Sequence, residues 1–541
     1  MEGSNVAQYH NQIAFSNFYD PNSKLNEAFN EDASMGSSED CAQFHDDAFI
    51  TVECPQLYSD SDSSSGGSEA SSPKPYQANA KAFNFETFVR NPGAEIFDLS
   101  NTGSVAKFIS SRINDGHENG SFLVTNLSPV VAQCHQWFHE LPMIQPFFAV
   151  KCNPDPVTVR LLATMGCGFD CATLGEMNMV LNGLGDELSF GPRGLATSSI
   201  IYSHPAKMVS HIEFALANKI YMTVFDGEDE LYKLASMPGH ENFQVLMRLA
   251  TDDKHSICRF SKKFGADVRE APHLLEVARS LGLNVVGVHF HVGSGCGDGN
   301  AYVTALKHAR WVFDMADQLG MPPMTMVDLG GGFPGDTGGY GGPGMPTFQN
   351  LAADIRAGID AFAEGFPRPM ESVRFIAEPG RYFVSAATTI VTQVYSRKGG
   401  NNPYQALYVN DGVYGSFNNV VYDHATPVPQ KLSLVLAAES RAHTAKAVVS
   451  EDLASLEPEA HLVAPIDAPV ATTAGVESIP TAIFGPTCDG LDQMCALEST
   501  VLPRCEVGDW LIWENMGAYT HTASFVFNGF THIPKRTYCI C

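Results

Sequence analysis

An apolar strand runs directly into a lysine and a turn in the stretch Pro146-Phe-Phe-Ala-Val-Lys-Cys-Asn-Pro-Asp-Pro156. The fold prediction starts from this strand end. Asn153 and the two prolines that follow break the strand. Burial disfavours the ammonium form of a lysine held against an apolar wall, so we expect a lowered pKa for Lys151. Such an amine can form a Schiff base with an aldehyde. For an isolated lysine, a side chain that extends to solvent is the favoured alternative.

Outward from this stretch, apolar strands alternate with helical patterns along the chain. The predicted strands are 122–126, 147–150, 168–171, 199–203, 221–225, 245–250, 285–291 and 324–328. Repeated strand-then-helix units of this kind predict a (β/α)8 TIM-like barrel, an α/β fold. The chemistry of that fold lies where strands end and the following loops begin. Reactive side chains should therefore be found at the strand ends.

Polar residues and glycines occupy these strand ends, as the barrel requires. In chain order they are Lys151, Asp170, Arg248, His291, Gly330, Gly331, Gly332, Glu378, Pro379, Gly380 and Arg381. A glycine triplet exposes backbone N–H groups after the last of the eight predicted barrel strands, where this fold commonly binds phosphate. Arg381 adds a bidentate phosphate donor. The triplet alone is also explained by a tight turn, but with Lys151 and Arg381 it predicts a site for pyridoxal 5′-phosphate (PLP).

The remaining chain divides into a tail and a second domain. Residues 1–80 carry 13 Asp and Glu against two Lys and are rich in Ser, which predicts a disordered acidic tail. The PLP-binding barrel is predicted at 122–387. Short β-type runs predict an all-β domain from 388–541, joined by 82–121. Residues 425–480 show no clear period and are predicted to be a partly disordered insertion.

The composition of the chain excludes some classes of partner and predicts its cellular compartment. The net charge of −27 argues against nucleic acid and anionic membranes as partners. No apolar run is long enough for a membrane span. The 13 cysteines lack metal-type spacing, so we predict reduced thiols, no metal site and a cytoplasmic location.

The strand-end motifs and the later strings together resemble the fold-type III PLP-dependent decarboxylases, and the ornithine decarboxylase family in particular. The matching strings are FAVKCN (148–153), GFDCA (168–172), RLATDD (248–253), HVGSGC (291–296), DLGGGFPG (328–335), AEPGRY (377–382), YVNDGVYGSFN (408–418), YDHA (422–425), GPTCDGLD (485–492) and ENMGAYT (514–520). They follow the family's order over about residues 82–532, insertions excluded. The sequence departs from the family pattern at Ser203-His204 and at His289, where a small residue is usual.

The resemblance implies a role for each cofactor residue. Lys151 would hold PLP as a Schiff base, Glu378 would pair with the pyridine nitrogen, and His291 would stack on the ring. The implied phosphate ligands are Ser294, Gly332, Arg381 and Tyr519. The neighbouring Gly330, Gly331, Pro379 and Gly380 are also implied to bind the cofactor. Asp170 and Arg248 would form a supporting polar shell, with a plain buried ion pair as the alternative.

The resemblance also implies the substrate side. Tyr422, Asp423 and Asp489 would bind the distal ammonium of a basic amino acid, with turn chemistry as the alternative for the two carboxylates. Cys488 would return a proton to the α-carbon. The 485–492 loop would reach into the partner's site in a homodimer.

The implied reaction is decarboxylation of L-ornithine to putrescine and carbon dioxide, the first step of polyamine synthesis. One alternative is a decarboxylase of lysine or another basic amino acid. The other is a catalytically inactive regulator that resembles the antizyme inhibitors, which bind antizyme.

Overall fold

The computed structural model describes residues 94–100, 104–183, 197–335, 345–453, 477–530 and 534–541, without the side chains of 443–453. The predicted tail at 1–80 lies outside the described residues, as does the start of the 82–121 segment. In the described part of the chain, no helix is long and apolar enough to cross a membrane.

Eight parallel strands close into a barrel, which confirms the predicted fold. Barrel strands 1 to 8 are Ile144–Ala149, Gly168–Cys171, Ile200–Tyr202, Met222–Phe225, Gln244–Leu249, Asn284–Phe290, Met326–Asp328 and Arg374–Ala377. Each strand pairs with the next, and strand 8 pairs with strand 1.

The prediction that 122–126 is the first barrel strand is wrong. Phe122–Asn126 pairs with Thr388–Lys398 and Lys535–Ile540 in the other sheet. The eighth barrel strand is Arg374–Ala377, which leads into Glu378. Phe122–Asn126 is apolar and buried along most of its length, like a barrel strand, and its partners lie far away in sequence. A local pattern therefore cannot show which sheet it joins.

Helices follow or precede the barrel strands. They are Ser128–Glu140, Pro156–Thr164, Leu174–Gly183, Val209–Ala217, Glu228–Ala235, Ala271–Ser280, Asn300–Gln318, Phe348–Ala363 and Arg381–Val384. Short 3-10 turns occur at Val150–Cys152, Thr197–Ser199, His240–Asn242, Val268–Glu270, Met370–Ser372 and Ser385–Ala387. The turn after Lys151 ends because Asp155 caps the next helix. The Asp155 carboxylate accepts from the Thr158 N–H at 2.9 Å, and Pro156 occupies the first helical turn.

The barrel interior is polar towards the carboxyl ends of its strands and has an apolar layer beneath these polar groups. Its apolar layer consists of Phe147, Ile201, Met222, Val224, Leu246, Met326 and Ile376. Arg248 and Asp328 follow Leu246 and Met326 of this layer by two residues, and both are register partners of His289 on strand 6. Because side chains alternate along a strand, these three polar groups lie above the apolar layer, at the carboxyl end of the barrel.

The second sheet has ten strands. Its main path runs through Ile96–Asp98, Lys535–Ile540, Phe122–Asn126, Thr388–Lys398, Gln405–Val409, Ser478–Phe484 and Gln493–Cys495. Pro429–Lys431, Val501–Pro503 and Trp510–Trp513 attach to this path. The helices of this region are Val105–Asn114, Asn419–Tyr422 and Leu432–Leu453. The two-stranded pair Ser256–Cys258 and Ser294–Cys296 is separate.

The predicted insertion at 425–480 is wrong at its beginning. Pro429–Lys431 pairs with Trp510–Trp513, and Leu432–Leu453 is helical. Residues 454–476 lie outside the described part of the chain. Among the described side chains of this helix, those of 432–442, Leu432 is buried and the others are half-buried or exposed.

Candidate active site

Lys151 lies immediately after barrel strand 1 and forms an ion pair with Asp170, which lies in strand 2. About a third of the Lys151 side chain is exposed (35%), whereas that of Asp170 is fully buried. Burial disfavours the ammonium form, but Asp170 and Glu378 attract it more strongly, and the pKa of Lys151 is raised. The prediction of a lowered pKa for Lys151 is therefore wrong. It considered burial alone, whereas the two carboxylates that raise this pKa belong to other strands.

Glu378 lies at the end of strand 8 and is buried. Its Oε2 is 3.2 Å from Nε2 of His289, while Oε1 has no hydrogen-bond partner among the described residues. Burial opposes its charge, but His289 and Lys151 stabilise the carboxylate, and the pKa of Glu378 is lowered. Burial and the charge of Glu378 raise the pKa of neighbouring Asp328 well above its usual range. Burial and Glu378 thus favour the neutral form of Asp328, whereas His289 and Lys151 favour the ionised form of Glu378.

The glycine triplet packs too closely for side chains. A Cβ at Gly331 would lie 2.8 Å from Nε2 of His291 and 2.9 Å from the Glu378 carbonyl oxygen. Gly332 has φ +111°, and a Cβ there would lie 2.5 Å from the Gly293 carbonyl oxygen. The Gly330 N–H donates to Asp328 at 2.8 Å, and the Gly330 carbonyl accepts from the Glu378 N–H at 2.7 Å. These contacts join the ends of strands 7 and 8 at the triplet.

Arg381 begins the short helix after strand 8 and is buried. Its Nη2 donates to Ser294 Oγ at 3.1 Å and to Asp423 Oδ1 at 2.8 Å. The guanidinium carbon lies 5.0 Å from the centre of the Tyr519 ring. The predicted phosphate ligands Ser294, Arg381 and Tyr519 therefore meet at one point. Gly380 leaves room there, since its Cβ would approach Cys152 to 2.9 Å, and Pro379 accepts a hydrogen bond from the Ala149 N–H at 3.2 Å.

An aromatic cluster holds this short helix. Trp137 packs against Phe333, Phe348, Tyr382 and Phe383 with ring centres 4.9 to 5.8 Å apart. Its indole N–H donates to the Ile144 carbonyl at 3.0 Å, at the start of strand 1. The strand that leads to Lys151 and the helix that carries Arg381 are thus fixed to the same core.

His291 and Arg248 flank the same end of the barrel. His291 is half-buried, and its Nδ1 accepts from the Gly293 N–H at 3.1 Å. Burial and the nearby Arg248 lower the pKa of His291 well below its usual value, so the ring is neutral. Arg248 is buried, and its guanidinium carbon lies 4.9 Å from the centre of the Phe264 ring. Asp170 pairs with Lys151 rather than forming the ion pair with Arg248 that the sequence left open.

Among the described contacts, none joins Cys488, Asp489 or Tyr422 to Lys151. Cys488 is exposed, and its N–H donates to Asn528 Oδ1 at 3.0 Å. Asp489 accepts from the Tyr414 hydroxyl, which lowers the pKa of its carboxyl group. Tyr422 is 61% exposed. Asp423 alone of the predicted substrate residues is joined to the cofactor residues, through Arg381.

Sequence reasoning missed the contacts of His289, Ser203 and Asp328. The Ser203 hydroxyl lies 3.5 Å from Nε2 of His289. His289, Asp328 and Glu378 each place one ligand atom within 4.8 Å of the others, a spacing that a metal ion could also use. These residues lie on separate strands, so no spacing rule joins them. The histidine at position 289, which departs from the family pattern, was the signal in the sequence that could have indicated these contacts.

The described residues fit PLP. The Glu378 Oε1 atom is buried without a donor, which suits the N–H of a protonated pyridine. Asp170 Oδ1 is also buried without a partner among the described residues. The Gly330–Gly332 triplet, Ser294 and Arg381 offer donors where a phosphate would lie. Lys151 supplies the amine for the aldehyde.

The chain is similar to pyridoxal-dependent decarboxylases over most of its length. A family model described as "Pyridoxal-dependent decarboxylase, pyridoxal binding domain" matches residues 127–385. Ornithine decarboxylase of Mus musculus is 37% identical over 435 residues, which cover 78% of this chain and 81% of that protein. Antizyme inhibitor 2 of Xenopus laevis is 37% identical over 453 residues, which cover 81% of this chain and 86% of that protein.

Solved structures show the same architecture. The arginine decarboxylase of Paramecium bursaria Chlorella virus, bound to agmatine, superposes with a TM-score of 0.65 at 28% identity. The match covers 80% of this chain and 100% of that chain. Lysine/ornithine decarboxylase of Vibrio vulnificus, complexed with cadaverine, gives a TM-score of 0.63 at 26% identity and covers 81% of this chain and 96% of that one. The chain therefore belongs to the ornithine decarboxylase family of pyridoxal-dependent decarboxylases, and its cofactor is PLP.

Proposed function

We propose that the protein decarboxylates L-ornithine to putrescine and carbon dioxide, the first step of polyamine synthesis. The observation that carries the proposal is the connection between Lys151, Tyr519, Arg381 and Asp423. The Arg381 guanidinium carbon lies 5.0 Å from the centre of the Tyr519 ring and Arg381 donates to Asp423 at 2.8 Å, while Lys151 is near enough to Tyr519 for their charges to interact. A Schiff-base lysine, a phosphate donor and a buried carboxylate for a cationic substrate thus lie around one aromatic ring.

The residues of the chain have distinct tasks in this proposal. When bound, PLP draws electrons from the α-carbon into its ring as the carboxylate leaves. Glu378 keeps a proton on the ring nitrogen, and His291 covers the ring face. Arg381, Ser294, Gly332 and Tyr519 hold the phosphate, while Asp170 and Arg248 support Lys151 and the ring. Lys151 moves protons and releases the product amine. Cys488 donates a proton to the α-carbon.

Substrate choice rests on Asp423 in this proposal. Its carboxylate is buried and accepts from Arg381. A phosphate bound at Arg381 would share that guanidinium and make the Asp423 charge available to an ammonium group. The distal ammonium of ornithine is such a group. Tyr422 would border the same position, and Asp489 would approach it from a second subunit.

Replacement of Asp423 with asparagine is expected to raise the KM for ornithine at least tenfold, because loss of one partner of a buried charge pair costs on the order of 2–5 kcal/mol. PLP affinity should not weaken, since Arg381 keeps its donors. Steady-state kinetics and PLP titration measure the two effects separately. The exposed carboxylate of Asp252 (61% exposed) provides the matched control, Asp252→Asn. An unchanged KM with weaker PLP binding would mean that Asp423 serves only Arg381.

We also propose that two copies of the chain share their active sites. The position of Cys488 supports this, because its thiol is exposed and its loop contacts Asn528 rather than the barrel. The exposed side chains of Leu491 (74%) and Phe525 (50%) near this loop suit an interface between copies. In such a dimer, the loop of one copy would complete the site around Lys151 of the other.

Mixed dimers test this arrangement. Lys151→Ala and Cys488→Ala proteins should each be almost inactive. After subunit exchange, random pairing should restore roughly a quarter of wild-type activity, since half of the dimers then contain one intact site. Co-purification of two different tags verifies the exchange. Exchanged dimers without activity would show that Cys488 works within its own chain.

The whole proposal is tested by carbon dioxide release from ornithine, with lysine and arginine as competing substrates. Putrescine formation would support it, whereas preferential turnover of lysine would favour the alternative decarboxylase. The similarity to antizyme inhibitor 2 favours a second candidate, an inactive regulator that binds antizyme. PLP binding without turnover of any basic amino acid, together with antizyme binding, would support that candidate.

We further propose a cytoplasmic location, which suits the eleven free cysteines of the described chain.

A further inference from the structure

His289 is a buried histidine that the proposed reaction does not use. It lies in barrel strand 6, with Arg248 of strand 5 and Asp328 of strand 7 as its register partners. Its side chain has no exposure to solvent. It therefore lies inside the barrel, directly above the apolar layer and below the region where the ends of strands 7 and 8 meet.

The two ring nitrogens of His289 have different surroundings. Nε2 lies 3.2 Å from Glu378 Oε2 and 3.5 Å from the Ser203 hydroxyl. Nδ1 is buried without a hydrogen-bond partner among the described residues. Burial lowers the pKa of His289, which favours the neutral ring with a single proton. That proton belongs on Nε2, because Nε2 faces a carboxylate, whereas a proton on Nδ1 would be a buried donor without an acceptor.

The Nε2–H tautomer determines how Glu378 is presented. It donates to Oε2 and so fixes the rotation of the carboxylate, leaving Oε1 as the oxygen without a donor. We infer that His289 is a positioning residue that holds Glu378 ionised, with one oxygen directed at the ring nitrogen of PLP. This inference rests on the role of Glu378 in the proposed function.

The neighbouring charges explain why such a donor is needed. Glu378 shares its buried site with Asp170, whose charge raises the energy of a further negative charge, and with Asp328, which burial and Glu378 drive towards the neutral form. Without the His289 donor, Glu378 would more readily take up a proton. A protonated Glu378 cannot accept the N–H of a pyridinium, and the ring nitrogen would then lose its proton.

Two variants separate hydrogen bonding from packing. His289→Gln places an amide N–H near the position of Nε2, whereas His289→Leu fills a similar volume without a donor. Each variant is loaded with PLP labelled with ¹⁵N in the ring, and the ¹⁵N chemical shift reports whether the nitrogen is protonated. PLP affinity is measured by titration of the apoprotein. Thermal unfolding of the apoproteins verifies that both variants fold.

We expect a protonated ring nitrogen in the wild type and in His289→Gln, and an unprotonated one in His289→Leu. The dissociation constant for PLP should rise on the order of ten- to a hundredfold in His289→Leu, as for loss of a hydrogen bond to a charged group. His289→Gln should recover most of this loss. If both variants keep the wild-type ¹⁵N shift, or lose affinity equally, the inference is overturned and His289 only fills space.

A metal ion would give a different result at the same residues. Stoichiometric Zn²⁺ binding to the wild-type apoprotein that His289→Leu abolishes, with the ¹⁵N shift unchanged, would overturn the inference and assign the His289, Asp328 and Glu378 triad to a metal. The ¹⁵N measurement needs no substrate. Failure of ornithine turnover in the wild type would therefore contradict the proposed reaction without altering the test of His289.

Discussion

Replacement of Lys151 with alanine is expected to abolish carbon dioxide release from ornithine, with a loss on the order of 10³-fold or more. Lys151 supplies both the amine that binds PLP and the group that moves protons when product leaves. Lys151 follows strand 1 and is the lysine that forms the ion pair with Asp170. The Schiff-base absorption of the protein should disappear in the same variant, even if PLP remains bound through Arg381.

The fold should survive this change. Asp170 loses its cationic partner, but burial already raises the pKa of its carboxyl group, so it can take up a proton and stay buried as a neutral acid. Lys107→Ala is a suitable control, because Lys107 is exposed on the Val105–Asn114 helix. The assay is carbon dioxide release combined with an absorption spectrum. Retention of the absorption band in Lys151→Ala would remove Lys151 from its proposed role.

Glu378→Gln is expected to lower kcat on the order of 100-fold or more while PLP stays bound. The glutamine carbonyl can accept from His289 in place of Oε2, which leaves the amide N–H₂ at the position of Oε1. An N–H donor there favours an unprotonated ring nitrogen, and the ring then withdraws electrons less effectively. Single-turnover kinetics isolate this effect from product release.

Glu371→Gln provides the matched control for that change. Glu371 is an exposed glutamate that precedes strand 8, so its loss of charge should leave kcat unaltered. The PLP content of both variants is determined from absorbance after denaturation. A normal kcat in Glu378→Gln with full PLP content would show that the ring nitrogen needs no anionic partner.

The sequence predicted the barrel because that fold depends on local patterns of strands and helices. Strand-end positions of Lys151, Asp170 and Glu378 follow from apolar runs that stop at a polar residue. The approach of Ser294, Arg381 and Tyr519 followed from family motifs rather than from any pattern, because Tyr519 is far from the other two in the chain. Their individual roles stay predictions.

The errors share one physical cause, which is dependence on partners distant in sequence. Phe122–Asn126 resembles a barrel strand locally, yet its partners include Lys535–Ile540. The pKa of Lys151 is set by carboxylates from strands 2 and 8. His289 contacts Glu378 across the barrel interior. Burial alone gave the wrong sign for the lysine pKa because it took no account of these charges.

The pairing of Lys535–Ile540 between Ile96–Asp98 and Phe122–Asn126 imposes an order on biosynthesis. The eight barrel strands leave the ribosome well before residues 535–540, so the barrel can close while the outer sheet still lacks one of its internal strands. Until that strand is added, the backbone groups of Phe122–Asn126 remain open to pairing with another chain. Nascent chains stalled before residue 535 should therefore depend on chaperones more than the released protein does.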